Sequence, residues 1–68
     1  MLKHYKDIVL SKIVTETDNP QNWRIKQWVK DDHINVKRLL KDMEKEGLIK
    51  INFLEDRGKI RRMLKINK

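Results

Sequence analysis

Val36-Lys37-Arg38-Leu39-Leu40-Lys41-Asp42-Met43-Glu44-Lys45-Glu46-Gly47-Leu48-Ile49-Lys50-Ile51-Asn52-Phe53 contains the change of period that decides the fold. Val36, Leu39, Leu40 and Met43 recur at i, i+3, i+4 and i+7, which makes one apolar stripe on a helix whose other positions are charged. Gly47 supplies the left-handed backbone position at which helices commonly stop. From there Ile49, Ile51 and Phe53 alternate with Lys50 and Asn52, the period of a strand. Glu55-Asp56-Arg57-Gly58 has the composition of a tight turn, and Lys59 to Ile66 alternates again through Ile60, Leu64 and Ile66, so a β-hairpin is expected.

Two turns fit that hairpin. A four-residue turn pairs Leu54 with Lys59, and a two-residue Arg57-Gly58 turn pairs Asp56 with Lys59. Both place Ile49, Ile51, Phe53, Ile60, Leu64 and Ile66 on one face with Arg62, and Lys50, Asn52, Leu54, Lys59, Arg61, Met63 and Lys65 on the other. The first face is expected to pack on the helices. The second is basic and carries two apolar residues without cover, Leu54 and Met63.

Upstream, Leu2, Tyr5, Ile8, Val9, Leu10 and Ile13 form a broad apolar face over residues 2 to 17, the first helix, with Tyr5 read as core ahead of a stacking role. Asn19-Pro20 is a start signal, Asn19 as N-cap and Pro20 at the first helical position of a second helix reaching Lys30. That helix should bury Ile25, Trp28 and Val29. Trp23 has three readings, the anchor of a short strand, a core residue or an exposed contact, and core is the favoured one. Asp31-Asp32-His33-Ile34 is the turn into the third helix, with Asp32 preferred as its cap.

Short helices, a helix closed by Gly-Leu-Ile and a basic hairpin, spread over residues 23 to 66, resemble the winged helix-turn-helix family. In that family a segment like Arg38 to Ile49 closes the recognition helix and the hairpin is the wing. The resemblance implies an α+β fold of three helices followed by a two-stranded antiparallel hairpin, one domain over residues 1 to 68. It also implies a DNA partner, duplex ahead of single strands. The chain departs from the family at Lys30-Asp31, where the turn of a typical helix-turn-helix has a glycine and an apolar residue.

Charge agrees with that partner. The 68 residues carry a net charge of +7, with 17 Lys+Arg against 10 Asp+Glu. Residues 1 to 34 hold 6 Lys+Arg against 5 Asp+Glu, and residues 35 to 68 hold 11 against 5, so the excess lies in the half with the third helix and hairpin. The outward residues of the third helix read either as a solvated face with ion pairs or as a nucleic-acid contact. Asn35 and Arg38 have side chains able to grip adenine or guanine edges in bidentate fashion, whereas Lys37 and Lys41 suit phosphate. In the winged-helix arrangement Arg57, Lys59, Arg61 and Arg62 on the wing should join these in one basic surface.

Other classes find little support. With no cysteine, neither a disulfide framework nor a Cys-based zinc site is available. His33 beside Asp31 and Asp32 offers too few ligands for a structural metal site. No phosphate loop or nucleophile signature occurs, and both glycines are explained by a helix stop and a turn, so neither an enzyme nor a cofactor is expected. No apolar run approaches a membrane span and no signal-peptide core is present, which points to the cytoplasm and no membrane. A core this small supplies only about 3–5 kcal/mol, so a homodimer through the first helix, or a tight complex, is expected. The leading function is a small DNA-binding transcriptional regulator. Its rival is an accessory subunit of a primase, polymerase or helicase on a mobile genetic element, docking on that replication-protein partner and binding single-stranded DNA.

Overall fold

The computed structural model describes residues 2–67, with side chains from His4 onward. Three helices precede a hairpin: α1 (Leu2–Thr15), α2 (Asn22–Val29), α3 (Val36–Lys45), β1 (Ile49–Asp56) and β2 (Lys59–Ile66). This is an α+β arrangement with the layout of a winged helix. The core draws Val9 and Ile13 from α1, Ile25, Trp28 and Val29 from α2, Val36, Leu39, Leu40 and Met43 from α3, and Ile49 and Leu64 from the hairpin. The α3 stripe is therefore the one expected, and among the described residues no polar or charged residue is fully buried. Leu2, expected on the apolar face of α1, lies outside the described side chains.

Two helices stop by the same device. At the end of α3 the Gly47 N–H donates to Glu44 O at 3.0 Å and the Leu48 N–H to Met43 O at 2.9 Å, with Gly47 at φ +79°. At the end of α2 the Lys30 N–H donates to Gln27 O at 3.2 Å and the Asp31 N–H to Lys26 O at 3.1 Å, with Lys30 at φ +56°. Both ends satisfy otherwise orphaned carbonyls through a left-handed residue. Lys30 thus adopts, with a Cβ, the conformation usually given to glycine, at the position where the resemblance expects one. The left-handed region costs a non-glycine residue roughly 1–2 kcal/mol, and glycine's extra unfolded-state freedom offsets about half of that. Lys30→Gly is accordingly expected to raise the urea midpoint by the equivalent of about 0.5–1 kcal/mol. An unchanged or lower midpoint would count against stored strain at Lys30.

The start of α2 corrects the sequence reading. The helix begins at Asn22 with Gln21 as its cap residue, which makes no side-chain capping bond, while Asn19 and Pro20 stay in the linker. The reason is a competing set of bonds to β2. Leu64 N–H donates to Asp18 O at 2.8 Å and Arg62 Nη2 to Pro20 O at 2.9 Å, which holds residues 18–20 along the strand edge. The cap of α3 also differs from expectation. Asn35 Oδ1 accepts from the Arg38 N–H at 3.0 Å, whereas Asp32 is exposed and outside the helix. Asp31 shapes the turn instead, accepting from the His33 N–H at 2.9 Å and from Tyr5 Oη at 3.1 Å.

The hairpin takes the two-residue turn, with Asp56 paired to Lys59 and Ile49 to Ile66. Arg57 at φ +53° and Gly58 at φ +77° give the two left-handed residues that a type I′ turn requires, whose twist matches that of the strands. Only half of the inner face packs on the helices. Ile49 and Leu64 are buried, but Phe53 is 67 % and Ile60 74 % exposed. Length accounts for this: eight strand residues extend about 26 Å, whereas the ten of α3 span about 15 Å, so the distal hairpin projects past the helices.

An acid-sensitive bond closes α1 onto α2. Trp28 Nε1 donates to Glu16 Oε2 at 2.8 Å, and Lys12 Nζ and Arg24 Nη1 lie 3.4 and 4.0 Å from the same carboxylate. The Trp28 hydrogen bond, aided by the two cations, holds the Glu16 carboxyl below its ordinary pKa. Its contribution to stability is thus complete above the ordinary carboxylate range and disappears as pH falls through the lowered folded value. Glu16→Gln is expected to lower the urea midpoint at neutral pH by more than it does below the carboxylate range. A pH-independent difference would show that the charge of Glu16 is immaterial.

Candidate nucleic-acid interface

α3 presents the densest set of free cations. At about 100° per residue, Lys37, Lys41, Lys45 and Arg38 fall within roughly a 100° arc opposite the apolar stripe. All four are exposed. Glu44 borders the arc on the hairpin side, where its Oε2 accepts from the Ile51 N–H at 3.2 Å. Asp42 and Asn35 border it on the other side. Lys45 was not among the expected contacts, although its i+4 spacing from Lys41 was visible in the sequence.

The expected contacts divide by direction. Lys37 and Lys41 line a groove of about 360 Å³ between α3 and the hairpin, together with Leu40, Ile51, Phe53 and Arg62. Arg38 borders a separate depression with Ile34, Asn35, Leu39 and Asp42. Asn35 is exposed, but its Oδ1 is engaged in capping, so a bidentate grip on adenine would forfeit a cap contributing about 1 kcal/mol.

The wing cations divide, which corrects the expectation of one surface: Arg62 lines the groove with Lys37 and Lys41, whereas Lys59 and Arg61 do not join them. Arg57 is at the hairpin tip. Lys59 and Arg61 stand opposite Asp56 and Leu54 on the sheet face that turns away from the helices, as do Lys50 and Lys65, which pair with each other. Arg61 Nη2 lies 3.5 Å from Asp56 Oδ2, so part of its charge is already answered. Alternation along a strand makes this division unavoidable, because Arg61 and Arg62 are neighbours in sequence and must point to opposite faces.

Arg62 is the wing cation that faces α3. It is half-buried opposite Phe53, tied through Nη2 to Pro20 O, and its buried Nε–H has no partner. Burial pushes its pKa below the ordinary arginine value, but a guanidinium remains charged at neutral pH.

Several side chains stand elsewhere than expected. Trp23 is 51 % exposed, with Nε1 donating to Gln21 Oε1 at 2.6 Å and the Arg24 guanidinium 4.7 Å from its ring centre. It belongs to α2, and no strand precedes that helix among the described residues. Leu54 is exposed as expected, while Met63 is half-buried. The α1 face proposed for dimerisation is turned into the domain's own core through Val9 and Ile13, with Tyr5, Ile8 and Leu10 packed against it, which leaves Val14 outside. Asp31, at the entrance to α3, accepts the Tyr5 hydroxyl, and that hydrogen bond raises the Tyr5 pKa.

Among the described residues there is no group of three or more His, Asp or Glu suited to a metal ion, and no helix long and apolar enough to cross a membrane. Comparison with protein-family models, characterised proteins and solved structures returns no significant match.

Proposed function

We propose that the chain is a DNA-binding domain of the winged helix-turn-helix kind, a small cytoplasmic regulator that lays α3 in the major groove of duplex DNA and sets the hairpin tip on the adjacent backbone. The observation that carries this reading is the exposed arc of Lys37, Arg38, Lys41 and Lys45 on a helix whose other side is locked into the core. Lysines suit phosphate, and Arg38 is chemically able to take a guanine edge in bidentate fashion. Arg57 at the tip extends the contact along the backbone.

The exposed Phe53, Leu54 and Ile60 favour a second reading, an accessory subunit that docks its hairpin on a replication enzyme. Backbone amide shifts during titration with a short duplex separate the two. The DNA-binding reading expects perturbations at residues 37–45 and 56–58, with α1 silent. Shifts confined to the apolar hairpin positions on adding protein, with none on adding duplex, would replace it with the docking role.

A further inference from the structure

The groove between α3 and the hairpin combines features that neither a solvated helix face nor an ordinary core edge explains. Phe53 is 67 % exposed on its wall, with the aliphatic Leu40 and Ile51 beside it. Three cations, Lys37, Lys41 and Arg62, share the same walls. The one acid there, Glu44, directs a carboxylate oxygen to the Ile51 N–H. The volume of about 360 Å³ falls within the roughly 300–1,000 Å³ of small-ligand sites.

An aromatic face next to clustered positive charge is the chemistry that receives a flat apolar ring attached to a phosphate. Single-stranded nucleic acid supplies that combination at every residue, and its unpaired bases stack on aromatic side chains whatever their sequence. A paired base cannot do so, since both of its faces are covered by its neighbours in the helix. Trp23 is less suited to this role because Arg24 lies over its ring. Phe53 has cross-strand Arg62 beside it, anchored through Nη2 to Pro20 O, so a cation is fixed next to the aromatic ring.

We propose that this groove is a binding site for an unpaired nucleotide, the base stacking on Phe53 and the flanking phosphates meeting Lys37, Lys41 and Arg62. The proposal rests on the reading of α3 as a nucleic-acid surface and adds to it a ligand that duplex recognition does not need. A domain built this way holds DNA or RNA that carries a single-stranded stretch, with α3 supplying charge to both modes.

Fluorescence anisotropy with labelled oligothymidylate, oligouridylate and a blunt duplex provides the test. Phe53→Ala should weaken single-strand binding about tenfold, the contribution of one stacked base, and leave duplex affinity unchanged. Phe53→Trp should retain single-strand binding, and a thermal melt of each variant reports folding. Which oligonucleotide suffers the larger loss distinguishes DNA from RNA as the natural strand. The proposal is overturned if folded Phe53→Ala binds single strands as tightly as the parent, if it loses single-strand and duplex binding equally, or if the parent binds no single strand. Failure of the parent to bind duplex while the Phe53 effect on single strands persists would instead remove the major-groove reading and leave the groove assignment standing.

Discussion

Leu40→Ala is expected to leave the domain largely unfolded at physiological temperature. Leu40 is 2 % exposed and sits on the α3 stripe where helix, hairpin and the rest of the core meet. Removing a buried leucine side chain to Cβ costs roughly 2–5 kcal/mol, and a core of this size provides a total of only about 3–5 kcal/mol. For a domain of this length each kcal/mol moves the melting temperature by about 4–8 °C, so a fall of about 10 °C or more is expected. Circular dichroism melts check it, with Val14→Ala, at a side chain already in solvent, as a control that should be nearly silent. A Leu40→Ala melt within a few degrees of the parent's would mean that α3 does not pack as described, and the orientation of its cationic arc would fall with it.

The second large effect concerns charge. Lys37→Ala, Arg38→Ala and Lys41→Ala combined should flatten the dependence of duplex affinity on salt by about 1.8 log units per log unit, at about 0.9 for each of the two phosphates left without its lysine. The same three side chains are exposed, so the melt should barely move. Arg61→Ala is expected to do much less, because Arg61 shares its charge with Asp56 and points away from α3. Arg38→Ala alone should also narrow the gap between preferred and arbitrary sequences, whereas Lys41→Ala should weaken both alike. A triple variant with the parent's salt slope would place the bound DNA on some other face.

Periodicity made the fold legible, and the same reasoning shows where it stopped. The α3 stripe, the glycine stop and both strands follow from alternation that a one-residue shift would destroy, so few arrangements could satisfy them. Even the turn was present as one of two registers. Alternation says which face a residue is on but not how far the helices reach along it, and so Phe53 and Ile60 were expected in the core. Local signals lost where a distant bond competed: Asn19-Pro20 is a good helix start, yet the bonds from Leu64 and Arg62 to the Asp18 and Pro20 carbonyls keep it in the linker. Likewise Asp32 and Asn35 are both fit caps, and only the tie of Asp31 to Tyr5 and His33 shows which of them stands at the helix start. For the site, residue type identified the α3 cations. Alternation already put Arg61 and Arg62 on opposite sheet faces, but it could not show that Phe53 remains open beside Lys37 and Lys41.

The DNA-binding role proposed for the arc on α3 is checked by the salt dependence of duplex binding by the unmodified protein. Lys37, Lys41, Lys45 and Arg57, as four phosphate contacts, predict a plot of log affinity against log salt with a slope of about −3.6. A slope near zero, or no duplex binding at low salt, would contradict the claim.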